Sequence, residues 1–347
     1  MGKRPPTPPP ENTRPDDVET ASARGKKIKK QSGSSGKVAR KRPRRIGVFF
    51  DAPGFDDYPF DQSEFRTAYR QFGEMVTADG GECGIVRNPA SYRGKGTFDR
   101  AWIFGGGSFR LHEHPWEADV LYNKCRGISF VPNDVRMINP PEFEHLCTDK
   151  WETYMRFSDC FPETLLVQNK HELAWAAGRL EGELIVAKPP DGEGGKSIVI
   201  ASAEDVLGAS HVFPLLVQEF LDTSGGIPGI AKGKHDLRIF SIRGEPLRCY
   251  VRQPKQGSYL ANYQQGGSLF EVPVASVPAD AMKLFRTVDA ALRSFPDRVY
   301  AVDMGRNAAG EWKLIELNSK PGLDPVLPHY PTAELFMRRL VDLLLSV

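Results

Sequence analysis

Large apolar residues are almost absent before position 45 and become regular after it. Ile46-Gly47-Val48-Phe49-Phe50 is the first unbroken apolar run, and Asp51 with the turn formers Pro53 and Gly54 closes it. Such a run predicts the first buried strand of an α/β domain. The pattern then predicts a helix over 61–77, a strand over 82–87, and further short strands over 100–104 and 119–122. Gly105-Gly106-Gly107 reads as a flexible turn after Trp102-Ile103-Phe104. From Thr148 the signals are denser. Thr148 is expected to cap a helix over 149–158, and Pro162-Glu163-Thr164 leads into the apolar Leu165-Leu166-Val167. Asn169 is expected to cap a second helix over 170–180, stopped by Gly182. Strands are predicted over 184–187, 198–200 and 214–221. A hairpin over 237–242 and 247–252 turns at Arg243-Gly244-Glu245-Pro246. An amphipathic helix over 279–295, strands over 299–304 and 313–317, and a terminal amphipathic helix over 332–346 complete the pattern.

Charge divides the chain differently from apolarity. Residues 1–45 carry 14 Lys+Arg against 4 Asp+Glu and seven prolines, so the remaining 302 residues carry 32 basic and 40 acidic side chains. A formal charge of +2 therefore hides a basic arm on an acidic body. With so little apolar surface to bury, 1–45 is expected to be disordered. It is either a solubilising extension, or an electrostatic tether to nucleic acid, the ribosome or an acidic protein, or a localisation signal. No apolar run reaches the roughly 18–20 residues that span a bilayer, and the start MGKRPPTPPP has no apolar signal core. Five cysteines, widely spaced and never C-x-x-C, argue against a disulfide framework or a zinc knuckle, and point to a reducing, cytoplasmic setting.

Three local patterns carry chemistry. Lys188-Pro189-Pro190-Asp191-Gly192-Glu193-Gly194-Gly195-Lys196-Ser197 is a strand–glycine loop–strand, which lacks the spacing and following helix of a P-loop. It is either a mobile surface hairpin or a tip that lays backbone N–H groups over phosphates, with a lysine at its base. Arg238 and Arg252 lie on the two strands of the 237–252 hairpin, either solvated or facing an anion. Asp303 and Glu316 flank a turn over 305–310 whose centre is midway between them, which sets the carboxylates opposite each other. Asn318, two residues on, shares the strand face of Glu316. Two carboxylates and an amide oxygen on one face suit Mg²⁺; a salt-bridged strand face is the alternative. His112-Glu113-His114 has no third ligand at metal spacing and reads as a loop.

In this order the motifs resemble the ATP-grasp superfamily, in the branch of bacterial glutathione synthetase and ribosomal-protein glutamate ligase. The resemblance rests on the Asp149-Lys150 helix with Pro162-Glu163-Thr164, the Lys188–Gly195 loop, Gln218-Glu219-Phe220-Leu221, and Asp236-Leu237-Arg238. Arg252 with Asn262 and Gly266-Gly267, and Asp303 with Glu316-Leu317-Asn318-Ser319-Lys320-Pro321-Gly322, complete it. It implies an α/β (α+β) ATP-grasp fold with three parts: the arm 1–45, a pre-ATP-grasp domain over 46–146, and an ATP-grasp domain over 147–347 with a lid over about 164–216. It further implies that Lys150 and Lys188 hold nucleotide phosphates under a lid containing Gly192, Gly194 and Gly195. Glu219 and Phe220 would offer backbone groups to adenine, Asp236 would reach the ribose, and Asn262 would belong to the nucleotide site. Arg238 and Arg252 would stabilise the transferring phosphoryl group, and Asp303, Glu316 and Asn318 would hold two Mg²⁺ or Mn²⁺ ions.

The activity so implied is ATP-dependent joining of a small-molecule carboxylate to an amine, an amino acid or peptide, through an acyl phosphate with release of ADP and phosphate. A homo-oligomer is also implied. Three departures weigh against glutathione itself as the product: 222–234 is longer than the family's usual link, Tyr122-Asn123-Lys124-Cys125-Arg126 resembles the family's N-terminal substrate region only loosely, and Ser-Lys-Pro-Gly follows Asn318. The alternatives are a ligase that modifies a protein terminus, and a nucleotide-binding scaffold whose arm engages nucleic acid or the ribosome.

Overall fold

The structure, a computed structural model, describes residues 42–125, 130, 132–192, 197–259, 266–325 and 331–347. The arm up to residue 41, Gly194, Gly195 and Asn262 lie outside the described residues. Residues Pro43–Val347 contain three main sheets.

The first sheet is built by β1 (Arg45–Phe50), α1 (Ser63–Ala78), β2 (Glu82–Arg87), β3 (Tyr92–Gly94), β4 (Thr97–Phe98), β5 (Ala101–Gly105), β6 (Ser108–His112), β7 (Trp116–Glu117), β8 (Val120–Asn123) and β9 (Arg136–Ile138). Its order is β6-β5-β2-β1-β8-β9, with β3, β4 and β7 forming a small separate sheet. Pairings β1–β2, β1–β8 and β8–β9 are parallel, and α1 makes the crossover from β1 to β2. Residues 46–50 and 83–87 are buried throughout, as a parallel sheet covered on both faces requires. The glycines at 105–107 do form the β5–β6 turn, with Gly106 and Gly107 at positive φ.

The second sheet follows α2 (Pro141–Thr148) and α3 (Lys150–Phe157). It comprises β10 (Thr164–Val167), β11 (Ile185–Lys188), β12 (Val199–Ala201) and β13 (Leu215–Glu219), with α4 (Lys170–Ala177) and α5 (Ala203–Gly208). All three pairings in the order β10-β13-β11-β12 are antiparallel. One apolar side packs on α4 and α5 through Val167, Leu173, Ala176, Ile185, Val206 and Val217. Asn169 caps α4 as expected, accepting from the N–H groups of His171 and Glu172. The expected cap at Thr148 is corrected. Asp149 caps α3 by accepting from Trp151 and Glu152, and Thr148 ends α2, a helix that the apolar pattern did not predict.

The third sheet contains β14 (Asp236–Ile242), β15 (Glu245–Gln253), β16 (Ser268–Glu271), α6 (Ala279–Ala291), β17 (Val299–Arg306) and β18 (Trp312–Asn318), and α7 (Pro331–Ser346) follows. Its order is β16-β15-β14-β17-β18, antiparallel throughout. The β14–β15 turn places Arg243 and Gly244 at φ 54° and 86°, the geometry of a two-residue turn that matches strand twist. Val251, Ile239, Val302 and Leu317 face a core shared with α6. On the other face Phe240, Ile242, Val299 and Ala301 meet α7 and, through it, α1 of the first sheet.

No helix of the described residues is long and apolar enough to cross a membrane. All five cysteines are free thiols, and four of them are buried. Phe240 touches both Tyr250 and Phe336 where α7 docks. Phe240→Ala is therefore expected to cost about 3–5 kcal/mol in denaturant unfolding, the range for a truncated buried aromatic.

Candidate active site

Strand alternation divides one face of the third sheet into an apolar half and a charged half. On β14, Asp236 and Arg238 share a face with Phe240 and Ile242, since successive side chains point to opposite sides. The register extends that face sideways: Asp236 pairs with Arg252, Arg238 with both Tyr250 and Asp303, Asp303 with Glu316, and Ala301 with Asn318. The expected juxtaposition of Asp303 and Glu316 is thus present, and Asn318 follows two residues along β18.

The charged half is organised about Asp303, which is 2% exposed. Arg238 donates from Nε to Asp303 Oδ1 at 2.5 Å and from Nη2 to Oδ2. Arg252 donates from Nη2 to Asp303 Oδ2 at 2.6 Å, and grips Asp236 through Nε at 2.8 Å and Nη2 at 2.7 Å. Two guanidiniums and two carboxylates sum to zero charge. Burial alone would push the Asp303 carboxyl up, but Arg238 and Arg252 outweigh it and hold the group below the usual carboxylate range. Each Asp236 oxygen accepts one hydrogen bond from Arg252, which leaves acceptor capacity on both for the ribose contact that the resemblance implies. Arg238 Nη1 has the loosest contact of the four groups, 3.5 Å to Tyr250 Oη.

A narrow cleft lies between the second sheet and β18, lined by Lys150, Tyr154, Lys188, Gln218, Ile315 and Glu316. The two lysines come from opposite walls. Lys150 opens α3, and its Nζ lies 3.3 Å from Glu316 Oε1 and donates to the carbonyl of Gly192. Lys188 ends β11 and donates from Nζ to Gln218 Oε1 at 2.9 Å, while Gln218 Nε2 donates to Thr164 Oγ1 at 2.6 Å. Burial lowers the Lys188 ammonium to about 8; Glu316 raises it and Lys150 lowers it further. Directly after Gln218, Glu219 Oε2 accepts from the Glu163 N–H at 3.2 Å, and the Phe220 ring meets Tyr259 edge-on at 5.1 Å.

The loop after β18 is held from the first sheet, a feature the motifs did not reveal. Lys124 donates to the carbonyls of Lys320 and Pro321 at 2.9 and 2.8 Å. Lys320 returns the contact to the Cys125 carbonyl and pairs with Glu144 at 3.2 Å. Asn139 donates to the Ser319 carbonyl at 2.6 Å. The Asn318 side-chain oxygen accepts from the Lys320 N–H at 2.8 Å. Among the described residues a further group, His145, Asp149 and Glu152, brings ligand-type atoms within 4.8 Å of one another. The α3 cap and a 3.1 Å His145–Glu152 pair account for it.

Residues 150–295 match the model of the prokaryotic glutathione synthetase ATP-grasp domain. The chain is 28% identical over 172 residues to a probable alpha-L-glutamate ligase of Legionella pneumophila, covering 48% of this chain and 52% of that protein. It is 29% identical over 209 residues to a glutathione synthetase of Shewanella oneidensis, covering 59% and 62%. It therefore spans about half the length of the curated glutamate ligase it matches. Among solved structures, D-alanyl-alanine synthetase A from Vibrio cholerae superposes with a TM-score of 0.59 at 11% identity, over 88% of this chain and all of that one. An ATP-grasp ligase, PsnB, gives 0.55 at 12% identity over 87% of this chain and 100% of its own. The fold is the mixed α/β ATP-grasp fold, as the motifs imply.

Removing the Asp303 charge leaves two guanidiniums facing each other in a buried site. Asp303→Asn is expected to cost about 3–5 kcal/mol in denaturant unfolding, the range for one partner lost from a buried ion pair. Arg243→Gln, which breaks an exposed pair with Asp297, is expected to cost about 1 kcal/mol or less in the same measurement.

Proposed function

We propose that this ATP-grasp protein is an ATP-dependent carboxylate–amine ligase that releases ADP and phosphate. The observation that carries the reading is the pairing of Lys150 and Lys188 across one cleft with Glu316 between them, beside the Arg238–Asp303–Arg252 cluster. Phosphoryl transfer needs positioned opposite charge more than a protein nucleophile, and this cleft offers that. Lys150 and Lys188 would bind the nucleotide phosphates as two point charges, one on each wall. Phe220, at the end of β13, would lie against the base. Arg238, through its loosely held Nη1, would orient the substrate carboxylate, and Arg252 would neutralise charge as that oxygen takes the phosphoryl group. The acyl phosphate formed is then attacked at carbon by the amine; the C–O bond to phosphate breaks, phosphate leaves, and the amine loses a proton.

Asp303, Glu316 and Asn318 fit a hard divalent cation. They supply carboxylate and amide oxygens on one sheet face, with Asp303 and Glu316 directly opposed. Mg²⁺ or Mn²⁺ bound there would supply charge neutralisation at the phosphates. Glu316, whose side chain is 37% exposed and held by one lysine, is free to turn towards such an ion. Asp303 would do so by giving up one of its two guanidinium contacts.

The reading is tested by incubating the purified chain with ATP, Mg²⁺ and pooled amino acids, dipeptides and small carboxylic acids, and measuring both ADP and AMP. Substrate-dependent ADP is expected, and substrate-dependent AMP would overturn the acyl-phosphate route. Lys188→Ala and Glu316→Ala are each expected to abolish ADP release without loss of fold by circular dichroism.

The buried Lys188 predicts a pH dependence. Its charged form prevails below about 8, so affinity for an ATP analogue should fall above that pH, approaching about tenfold per unit. Lys188→Met should bind weakly and show no such decline in a fluorescence titration between pH 7 and pH 9.5.

A further inference from the structure

Strand β18 ends at Asn318, where its pairing with β17 stops, and the chain continues as Ser319-Lys320-Pro321-Gly322. Pro321 has no N–H to give to a neighbouring strand. Side chains that follow the first sheet's strands place this stretch instead, through three successive carbonyls. Asn139 donates to the carbonyl of Ser319 at 2.6 Å, and Lys124 donates from Nζ to those of Lys320 and Pro321 at 2.9 and 2.8 Å. The Lys124 backbone is itself fixed, since its N–H donates to the Phe49 carbonyl at 2.8 Å and prolongs the pairing of β8 with β1. Lys320 crosses in the opposite sense, to the Cys125 carbonyl and to Glu144, whose side chain is 3% exposed.

These contacts end on the Asn318 amide, whose oxygen accepts from the Lys320 N–H at 2.8 Å. A backbone N–H can only donate, so this bond decides which end of the amide is oxygen as well as where that oxygen stands. It leaves the oxygen a second lone pair for a cation. The N–H on Asn318 and the carbonyl held by Asn139 belong to one planar peptide group, the one joining Ser319 to Lys320. Lys124 grips the next two carbonyls and so fixes the backbone that carries that group. Docking of the first sheet on the third is supplied elsewhere as well: Arg136 pairs with Asp297, and Asn139 exchanges hydrogen bonds with the backbone of Val299. Both hydrogen bonds from the Lys124 ammonium, by contrast, go to the loop after Asn318.

We infer that Lys124 is a positioning residue for the divalent cation: by holding the backbone of Lys320 and Pro321 it sets the Asn318 side-chain oxygen for the ion. The inference rests on the ligase reading and its assignment of Asp303, Glu316 and Asn318 to that cation. It adds a residue of the first sheet on which the ion's affinity depends. Partners that orient a metal ligand without touching the metal contribute roughly 10–100-fold to affinity.

The test uses the full chain with a non-hydrolysable ATP analogue and follows Mn²⁺ by water-proton relaxation, which separates ion on the slowly tumbling protein from ion on free nucleotide. K124M is expected to raise the Mn²⁺ concentration for half-saturation by roughly 10–100-fold, while binding of the analogue without divalent ion is unchanged. In an N318A background the same substitution is expected to add no more than about twofold, because the group through which Lys124 acts is gone. R136Q breaks an inter-sheet pair without touching the loop, and should stay within about twofold of the wild type. Wild-type Mn²⁺ affinity in K124M overturns the inference. An equal loss in the N318A background, or in R136Q, also overturns it and makes Lys124 a docking residue only. Where K124M does not fold by circular dichroism, K124R carries the same comparison. Its wider fork re-spaces the two carbonyls, so Mn²⁺ affinity is expected to fall severalfold with Asn318 present and not without it, and an unchanged affinity overturns the inference. A wild-type complex with the analogue that takes up no Mn²⁺ overturns the cation assignment and the inference together. Mn²⁺ binding as expected, but with no substrate-dependent ADP release, would count against the ligase reading alone.

Discussion

The geometry of the site hangs on one buried carboxylate. Asp303 uses both oxygens to accept from Arg238 and Arg252, and Arg252 carries the link on to Asp236. A single buried guanidinium or carboxylate there would be costly, whereas the neutral set of four is tolerated in a place that water scarcely reaches. Three strands are thereby tied through side chains as well as through their ladders: β14 by Asp236 and Arg238, β15 by Arg252, and β17 by Asp303. The same contacts hold the guanidiniums in fixed directions, which a site that stabilises developing negative charge requires.

What surrounds the cluster keeps it at an edge rather than in a core. The apolar half of its face is covered by α7, and the reverse face by α6, so β14 and β17 are clamped between two helices. The charged half extends beyond that clamp towards the second sheet. There Lys188 and Gln218 stand on adjacent strands, and Lys150 enters from α3. The first sheet closes the remaining side through Lys124 and Asn139, which hold the backbone after Asn318. The second and third sheets therefore supply the polar groups that line the cleft, and the first holds the loop that follows β18.

How much of this could be read from the sequence depended on the kind of force involved. Periodic burial made β1, β2, β14, β15, β17, α1, α6 and α7 legible, because long apolar patterns set their faces. The opposition of Asp303 and Glu316 was legible from their equal distance to the turn centre, although it is a one-residue bulge after Asp303, which nothing in the sequence marked, that completes it. Short elements without a buried stripe were not. Alternative caps at Thr148 and Asp149 differ by one residue, and only the missed helix α2 decides between them. Long-range polar contacts were equally hidden: Lys124 and Lys320 are 196 positions apart, and nothing local marks either as a partner. Of the two readings of Arg238 and Arg252, solvated or facing an anion, the solvated one is overturned, because both guanidiniums lie largely buried against the carboxylates of Asp303 and Asp236.

The match to the ATP-grasp domain model ends at residue 295, before Asp303, Glu316 and Asn318. The connection between those residues and the matched segment is physical. β17 pairs with β14 along its length, so Asp303 is brought opposite Arg238, which lies inside the matched segment. β18 then pairs with β17 and delivers Glu316 to Lys150, the first matched residue. Lysine, arginine and carboxylate thus meet because two hairpins share a sheet. A change that shifted the register of β17 by one residue would turn Asp303 towards the α6 core and separate all three. The bulge after Asp303 is part of that placement: the turn-side pairs Met304–Leu314 and Arg306–Trp312 would set Asp303 opposite Ile315, and the one-residue shift brings Glu316 there instead.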